Sequence, residues 1–254
     1  MKHKRFCVPP KEIRRAAFSL RECLFPFGCS LCGGRLADAA ESWYGLCADC
    51  RAGLEPGLCD PFAACARCGR PLVSERGLCL SCRKAEDGDL GLRDKTVALF
   101  PYTGRFRKLL YAYKFGKNLA LGNFFAEKTL GLLGSGALPA EALSRAVAVP
   151  VPPRRDRMRK TGWDQIGYLA RILEAEGLPV SRCLRRLPSE SQKGLGRESR
   201  MANLKGRIVS ARRPPETAVV VDDVMTTGAT LDACAAALRE GGAKTVFGLC
   251  LFYD

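Results

Sequence analysis

The sequence predicts an α/β protein, a largely parallel sheet with helices on both faces, preceded by a small cysteine-rich domain. Three observations carry this. Apolar, β-branched runs alternate with amphipathic helical stretches throughout residues 94–254. One of these runs, Ala218-Val219-Val220-Val221, is short, wholly apolar and mostly β-branched, as a strand buried on both faces should be. Eight of the 14 cysteines form four Cys-x-x-Cys pairs, all within residues 29–82.

The elements follow in order. Residues 11–25 are expected to form a short helix with Ile13, Ala16, Ala17, Leu20 and Leu24 on one face, ended by Pro26. That face is expected to cap the cysteine-rich module or the domain after it. The stretch Arg83–Arg93 is charged, contains glycine and has no apolar period, so a domain boundary is expected there. The resulting division is an N-terminal helical segment at 1–28, a cysteine-rich domain at 29–92 and an α/β domain at 93–254. In the last, strands are expected at Thr96–Tyr102, Ala146–Val151, Val180–Leu187, Thr217–Val221 and Thr245–Phe252. Helices are expected at 104–115 and 119–133. Two more carry Trp163, Ile166, Leu169, Ala170 and Leu173, and Leu231, Cys234, Ala235 and Leu238, on their inward faces. Residues 188–207 are polar, basic and aperiodic, as a loop or hood would be.

The cysteine pairs are Cys29/Cys32, Cys47/Cys50, Cys65/Cys68 and Cys79/Cys82. One Cys-x-x-Cys spans too little chain for a relaxed structural disulfide, but two of them close a tetrahedron of thiolates around one ion. A glycine follows Cys32 and Cys68, where it lets backbone N–H groups turn toward the sulfurs. The spacing therefore reads as a double zinc ribbon with two structural Zn²⁺ ions. Sequential ligand sets are preferred to a crossed arrangement. Cys59 is a spare, and Cys7, Cys23, Cys183, Cys234 and Cys250 read as isolated thiols. No apolar window is long enough for a membrane span. The basic N-terminus lacks the apolar core of a secretory leader, so a reducing, cytoplasmic location is expected.

The net charge is +15, and it is concentrated: Arg145–Arg213 holds 17 basic and 6 acidic residues. Such a run is either a solvated face or a surface for polyanions such as pyrophosphate or nucleic acid. His3 is the single histidine, so catalysis by a serine–histidine or cysteine–histidine pair is excluded for the main domain.

Asp222 and Asp223 follow the Ala218–Val221 strand, and Met225-Thr226-Thr227-Gly228-Ala229-Thr230 leads from them into a helix. Ligands of open α/β sheets bind at the carboxyl ends of strands. Backbone N–H groups and hydroxyls of Thr226, Thr227, Gly228, Ala229 and Thr230 suit a phosphate, and Gly228 has no side chain to block its approach. Two acceptor-only carboxylates beside that cradle suit the hydroxyls of a sugar phosphate. An acid pair near a helix N-terminus is also stabilising in its own right.

The run from Ala218 to Thr230 closely resembles the 5-phosphoribosyl-1-pyrophosphate (PRPP) signature of type I phosphoribosyltransferases. Three further blocks narrow the resemblance: Leu109-Leu110-Tyr111-Ala112-Tyr113-Lys114-Phe115; Val149-Pro150-Val151-Pro152 followed by basic residues and Gly162-Trp163-Asp164-Gln165; and Gln192, Leu195, Arg200 and Asn203. Together with the cysteine module they resemble the ComF family of competence-associated phosphoribosyltransferases, from about Phe25 onward. The family shows Arg-Gly-Phe-Asn-Gln where this chain has Thr161-Gly162-Trp163-Asp164-Gln165.

The resemblance implies a type I phosphoribosyltransferase-like fold that binds PRPP with Mg²⁺ and transfers phosphoribosyl to an acceptor. Asp222 and Asp223 would hold the ribose hydroxyls, and Thr226–Thr230 the 5′-phosphate. Pyrophosphate candidates are Arg154, Arg155, Arg157, Arg159 and Lys160, with Lys114 behind them. Two other readings stand beside it. One is a non-catalytic competence factor that binds nucleotide or single-stranded DNA through the basic stretch and Trp163. The other is a PRPP-sensing regulator. The zinc module is then a candidate surface for other DNA-uptake proteins.

Overall fold

The computed structural model describes residues 28–84, 93–188 and 207–254, with positions 12, 13, 16, 17 and 20. Most of the expected 11–25 helix, His3, Cys7, Cys23, residues 85–92 of the expected boundary, and Gln192, Leu195, Arg200 and Asn203 lie outside the described residues.

Strands β1 (Lys95–Pro101), β2 (Val147–Pro150), β5 (Thr217–Met225) and β6 (Thr245–Tyr253) form one sheet in the order β1-β6-β5-β2, every pair parallel. Strands β3 (Leu184–Arg186) and β4 (Ile208–Ser210) make a separate antiparallel pair. The strand expected over Val180–Leu187 is thus shorter. Around Val180 the chain only touches the edge of β2, with Ala148 N donating to Pro179 O at 2.8 Å and Ser181 N to Ala148 O at 2.9 Å.

Alternation along the strands explains the two-faced core. Val97 and Leu99 of β1, Val219 and Val221 of β5, and Phe247, Leu249 and Leu251 of β6 belong to one buried cluster. Helices α4 (Gly104–Lys114), α5 (Ala120–Gly134) and α8 (Gln165–Ala175) supply the rest of it, through Leu109, Tyr113, Phe124, Phe125, Leu169 and Leu173. Ala98, Val149, Ala218, Val220, Val246 and Cys250 point the other way. They meet Leu231, Cys234 and Leu238 of α9 (Ala229–Glu240), with Leu184 of β3 and Ile208 of β4. Both faces of the sheet are therefore covered, as the continuous apolar runs require. Short helices α6 (Ala140–Leu143) and α7 (Arg155–Thr161) flank β2.

The cysteine-rich module, with helices α1 (Ala39–Tyr44), α2 (Ala48–Ala52) and α3 (Leu80–Lys84), packs against the sheet domain. Leu36, Leu46 and Leu54 are buried in the same cluster as Val97, Leu99 and Phe124. The module also covers the open edge of β1: Thr96 N donates to Arg67 O at 2.9 Å and Cys59 N to Leu99 O at 2.8 Å. An edge strand left bare would present these groups to other chains. Asn123 Nδ2 donates to Trp43 O at 2.9 Å, and Arg70 Nε to Tyr253 Oη at 2.6 Å, fastening the module at two further points.

Gly69 shows how close this packing is. Its φ is +73°, and a β-carbon there would strike the carbonyl of Thr96. Gly77 has nearly the same φ, +72°, but nothing within 4 Å. Gly69→Ala is expected to cost about 3 kcal/mol, from strain plus displacement of β1, and Gly77→Ala about 1 kcal/mol from strain alone. Denaturant unfolding of both variants checks the difference; equal losses would mean that the module does not bear on β1.

Candidate functional site

The site begins with a difference in strand length. β2 ends at Pro150, opposite Val221 of β5, and Val151 N makes the last bond, to Val221 O at 3.0 Å. β5 continues to Met225 along β6. Asp222 and Asp223 therefore lie inside β5, not beyond its end as the sequence suggested, and Asp222 is level with Cys250. Their edge of the strand is open because the neighbouring strand stops short.

After Met225 the chain turns through Thr226 and Thr227, both exposed, to Gly228, which is buried at φ +80° and starts α9. No side chain caps Gly228, and Ala229 N reaches Thr227 Oγ1 only at 3.4 Å. The 12-residue helix thus begins without a side-chain cap, with Ala229 and Thr230 half-buried. Asp232 in that turn would repel an anion. Arg93 cancels its charge: Nε donates to Oδ1 at 2.6 Å and Nη2 to Oδ2 at 3.2 Å. Arg93 Nη1 also donates to Thr96 Oγ1 at 2.6 Å, and the guanidinium occupies the space that a Gly228 side chain would need.

Asp223 is buried and fully engaged. Its Oδ1 accepts from Val224 N at 2.8 Å. Its Oδ2 accepts from Gln165 Nε2 at 2.7 Å and pairs with the Lys114 ammonium. Helices α4 and α8 bring those two donors together through a second set of bonds. Trp163 Nε1 donates to Tyr113 O at 3.2 Å, Tyr113 Oη donates to Gln165 O at 2.6 Å, and Asp164 caps α8 by accepting from Gly167 N at 2.9 Å. Trp163 is therefore buried, just before α8, and unavailable for stacking with a ligand. Asp222 differs from its neighbour. Burial and the adjacent Asp223 carboxylate push its pKa up to about 7, against the opposing pull of Lys114 and Arg186.

The basic stretch after β2 is helix α7 rather than a loop. Arg154, Arg155, Arg159 and Lys160 are exposed, while Arg157 is half-buried with its guanidinium 5.5 Å from the Phe115 ring centre. Thr161 closes the helix, donating from Oγ1 to Arg157 O at 2.9 Å. Nothing local in the sequence marks three partners of the site: Arg93 ends the charged stretch before β1, Gln165 opens α8, and Arg186, which donates to Pro152 O at 3.3 Å, lies on β3.

The cysteines gather sequentially. The sulfurs of Cys29, Cys32, Cys47 and Cys50 lie within 4.8 Å of one another, as do those of Cys65, Cys68, Cys79 and Cys82. Each set can hold one metal ion, and four thiols suit a closed structural zinc site. The two halves are built alike. Cys29 N donates to Gly34 O and Cys65 N to Arg70 O, both at 2.7 Å, and Cys47 and Cys79 each stand at the start of a short helix. Although burial opposes ionisation, backbone N–H groups hold the Cys29 thiol down to about 7 and that of Cys65 to about 6, while burial and the neighbouring sulfurs push the thiols of Cys50, Cys68 and Cys82 up.

Two predictions follow from these geometries. Elemental analysis is expected to give about two zinc ions per chain, and Cys65→Ser about one; a wild-type content well below one contradicts the tetrads. Asp222 binds its proton more tightly folded than unfolded, so stability falls as pH rises from the ordinary carboxylate range through about 7, then levels. Asp222→Asn removes that loss. Its Tm is expected to exceed wild type by several degrees at pH 8 and to show no gain at pH 4.5; a pH-independent difference would refute the shift.

No protein-family model matches the chain. Curated relatives do, among them Competence protein F of Haemophilus influenzae, 28% identical over 230 residues, which are 87% of this chain and 95% of that protein. Competence protein ComFC of Streptococcus pneumoniae is 27% identical over 202 residues, 79% of this chain and 84% of its own length. Matched by both over most of its length, the chain is similar to these competence proteins, which supports the resemblance to the ComF family drawn from its sequence.

Proposed function

We propose that this protein is a phosphoribosyltransferase that binds Mg·PRPP and serves natural competence. The names of its two relatives support the competence-associated role. One observation carries the chemistry: β5 runs past the end of β2 through Asp222 and Asp223 and then turns through Thr226 and Thr227 into α9, whose N-terminus no side chain caps.

In this reading the 5′-phosphate sits on the amides of Gly228, Ala229 and Thr230 and the hydroxyls of Thr226, Thr227 and Thr230. Arg93 keeps Asp232 from repelling it. Asp222 accepts hydrogen bonds from the ribose hydroxyls, with Asp223 held behind it. Arg154, Arg155, Arg157, Arg159 and Lys160 are the candidates for the pyrophosphate, and Lys114 reaches it only by leaving Asp223. Mg²⁺ bound to the substrate's phosphates would neutralise charge on the leaving group. A nitrogen nucleophile attacks the anomeric carbon as the bond to pyrophosphate breaks, the electron pair leaving with the pyrophosphate. Positive charge grows on the ribose ring beside the two carboxylates, so catalysis rests on positioning and electrostatics. The two zinc ions are structural, since four thiolates leave no open position.

Calorimetric titration of the zinc-loaded protein with Mg·PRPP is expected to show saturable binding. Asp222→Asn should weaken it at least about 10-fold, through loss of charge-assisted contacts to the ribose hydroxyls. No binding by the wild type at millimolar PRPP would end this reading.

A further inference from the structure

Strand β3 turns one arginine inward. Leu184 is buried against α9, Arg185 is exposed and Arg186 is half-buried, so alternation puts Arg186 on the same side as Leu184. An inward guanidinium is costly unless a carboxylate meets it. Other arginines of the domain have one: Arg93 pairs with Asp232, Arg182 with Glu174 and Arg239 with Asp94. Among the described residues no carboxylate pairs with Arg186. Its one hydrogen bond there is long, from Nε to Pro152 O at 3.3 Å, and leaves both Nη groups to other acceptors.

That bond places the group. Pro152 follows Val151, whose amide makes the last bond to β5 at Val221, the residue before Asp222. Arg186 therefore stands where β2 leaves the sheet and β5 runs on. Its charge acts on Asp222 and on Cys234 of α9. Burial and the like charge of Arg154 pull Arg186 below the ordinary arginine value. Two guanidiniums that repel each other, one inward and one exposed, are stabilised by an anion set between them. Arginine forks take phosphate oxygens in pairs. A diphosphate, with oxygens on two phosphorus atoms, serves two forks at once, whereas a single carboxylate serves one. We propose that Arg186, with Arg154, forms a site for a diphosphate group, filled by the leaving group when PRPP is bound. This rests on the PRPP reading above and narrows it: Arg155, Arg159 and Lys160 stay exposed along α7, and Arg157 is turned to the Phe115 ring. As the bond to the anomeric carbon breaks, its electron pair goes to the diphosphate, where the two guanidiniums already stand.

Three titrants separate the parts of the site by calorimetry on the zinc-loaded full chain: Mg·pyrophosphate, ribose 5-phosphate and Mg·PRPP. The wild type is expected to bind all three. Arg186→Gln should weaken pyrophosphate and PRPP at least about 10-fold and leave ribose 5-phosphate unchanged. Arg186→Lys keeps the charge without the fork and should fall between the two. Arg185→Gln removes the same charge from the outward side of the same strand and should bind all three as wild type does. Thermal melts identify the folded variants, and Arg186→Lys decides where Arg186→Gln does not fold. The site is refuted if the wild type does not bind pyrophosphate, if the folded Arg186 variant binds it as wild type does, or if Arg185→Gln loses as much as Arg186→Gln. Pyrophosphate binding that needs Arg186, with no binding of PRPP or ribose 5-phosphate, would leave the diphosphate site standing and overturn only the transferase reading.

Discussion

The charge of Asp223 is buried, and the arrangement around the site depends on the means by which that charge is met. A carboxylate this enclosed is stable only when paired and hydrogen-bonded. Lys114 gives the charge, Gln165 a hydrogen bond, and the Val224 amide another. Those donors sit on α4, α8 and β5, so satisfying one side chain fixes three elements against one another. The Trp163–Tyr113–Gln165 chain of bonds then reads as scaffolding for that pairing. Asp222, one residue earlier and on the other side of the strand, is left with its proton held near neutrality. The two acids are thus divided in task by environment. One anchors the site, and the other is kept available.

The cysteine module is part of the same construction. Its leucines enter the core beneath the sheet, and its backbone closes the sheet's edge. Segments this small bury little surface of their own, so a metal ion in each tetrad can lend folding free energy that the module passes on through those contacts.

Much of this was legible in the sequence where a pattern had one physical meaning. Continuous apolar, β-branched runs alternating with helical faces point to the parallel sheet, and the spacing of the eight cysteines points to both ligand sets. What was hidden depended on distance in the chain. Nothing local marks Arg93 as the partner of Asp232, 139 residues away, or Gln165 as a donor to Asp223. The length of β2 was overestimated because Val151 continues its apolar run, and that shortfall is what uncovers Asp222. Basic residues without apolar period concealed α7, and the amphipathic pattern around Trp163 concealed that its indole serves Tyr113. The approach of Arg186 to Arg154 needed β3 placed beside the end of β2.

The covered edge of β1 has a bearing on how the chain reaches this state. The sheet partner of β1 is β6, and Val97 pairs with Leu249, about 150 residues later. A growing chain would carry β1, an apolar strand, long before its neighbour exists. Arg67 and Cys59 lie 28 and 36 residues before the start of β1 and bond to it, and the tetrads close within short loops. The metal module can therefore serve as a provisional neighbour, holding one side of β1 in register until the distant strand arrives on the other.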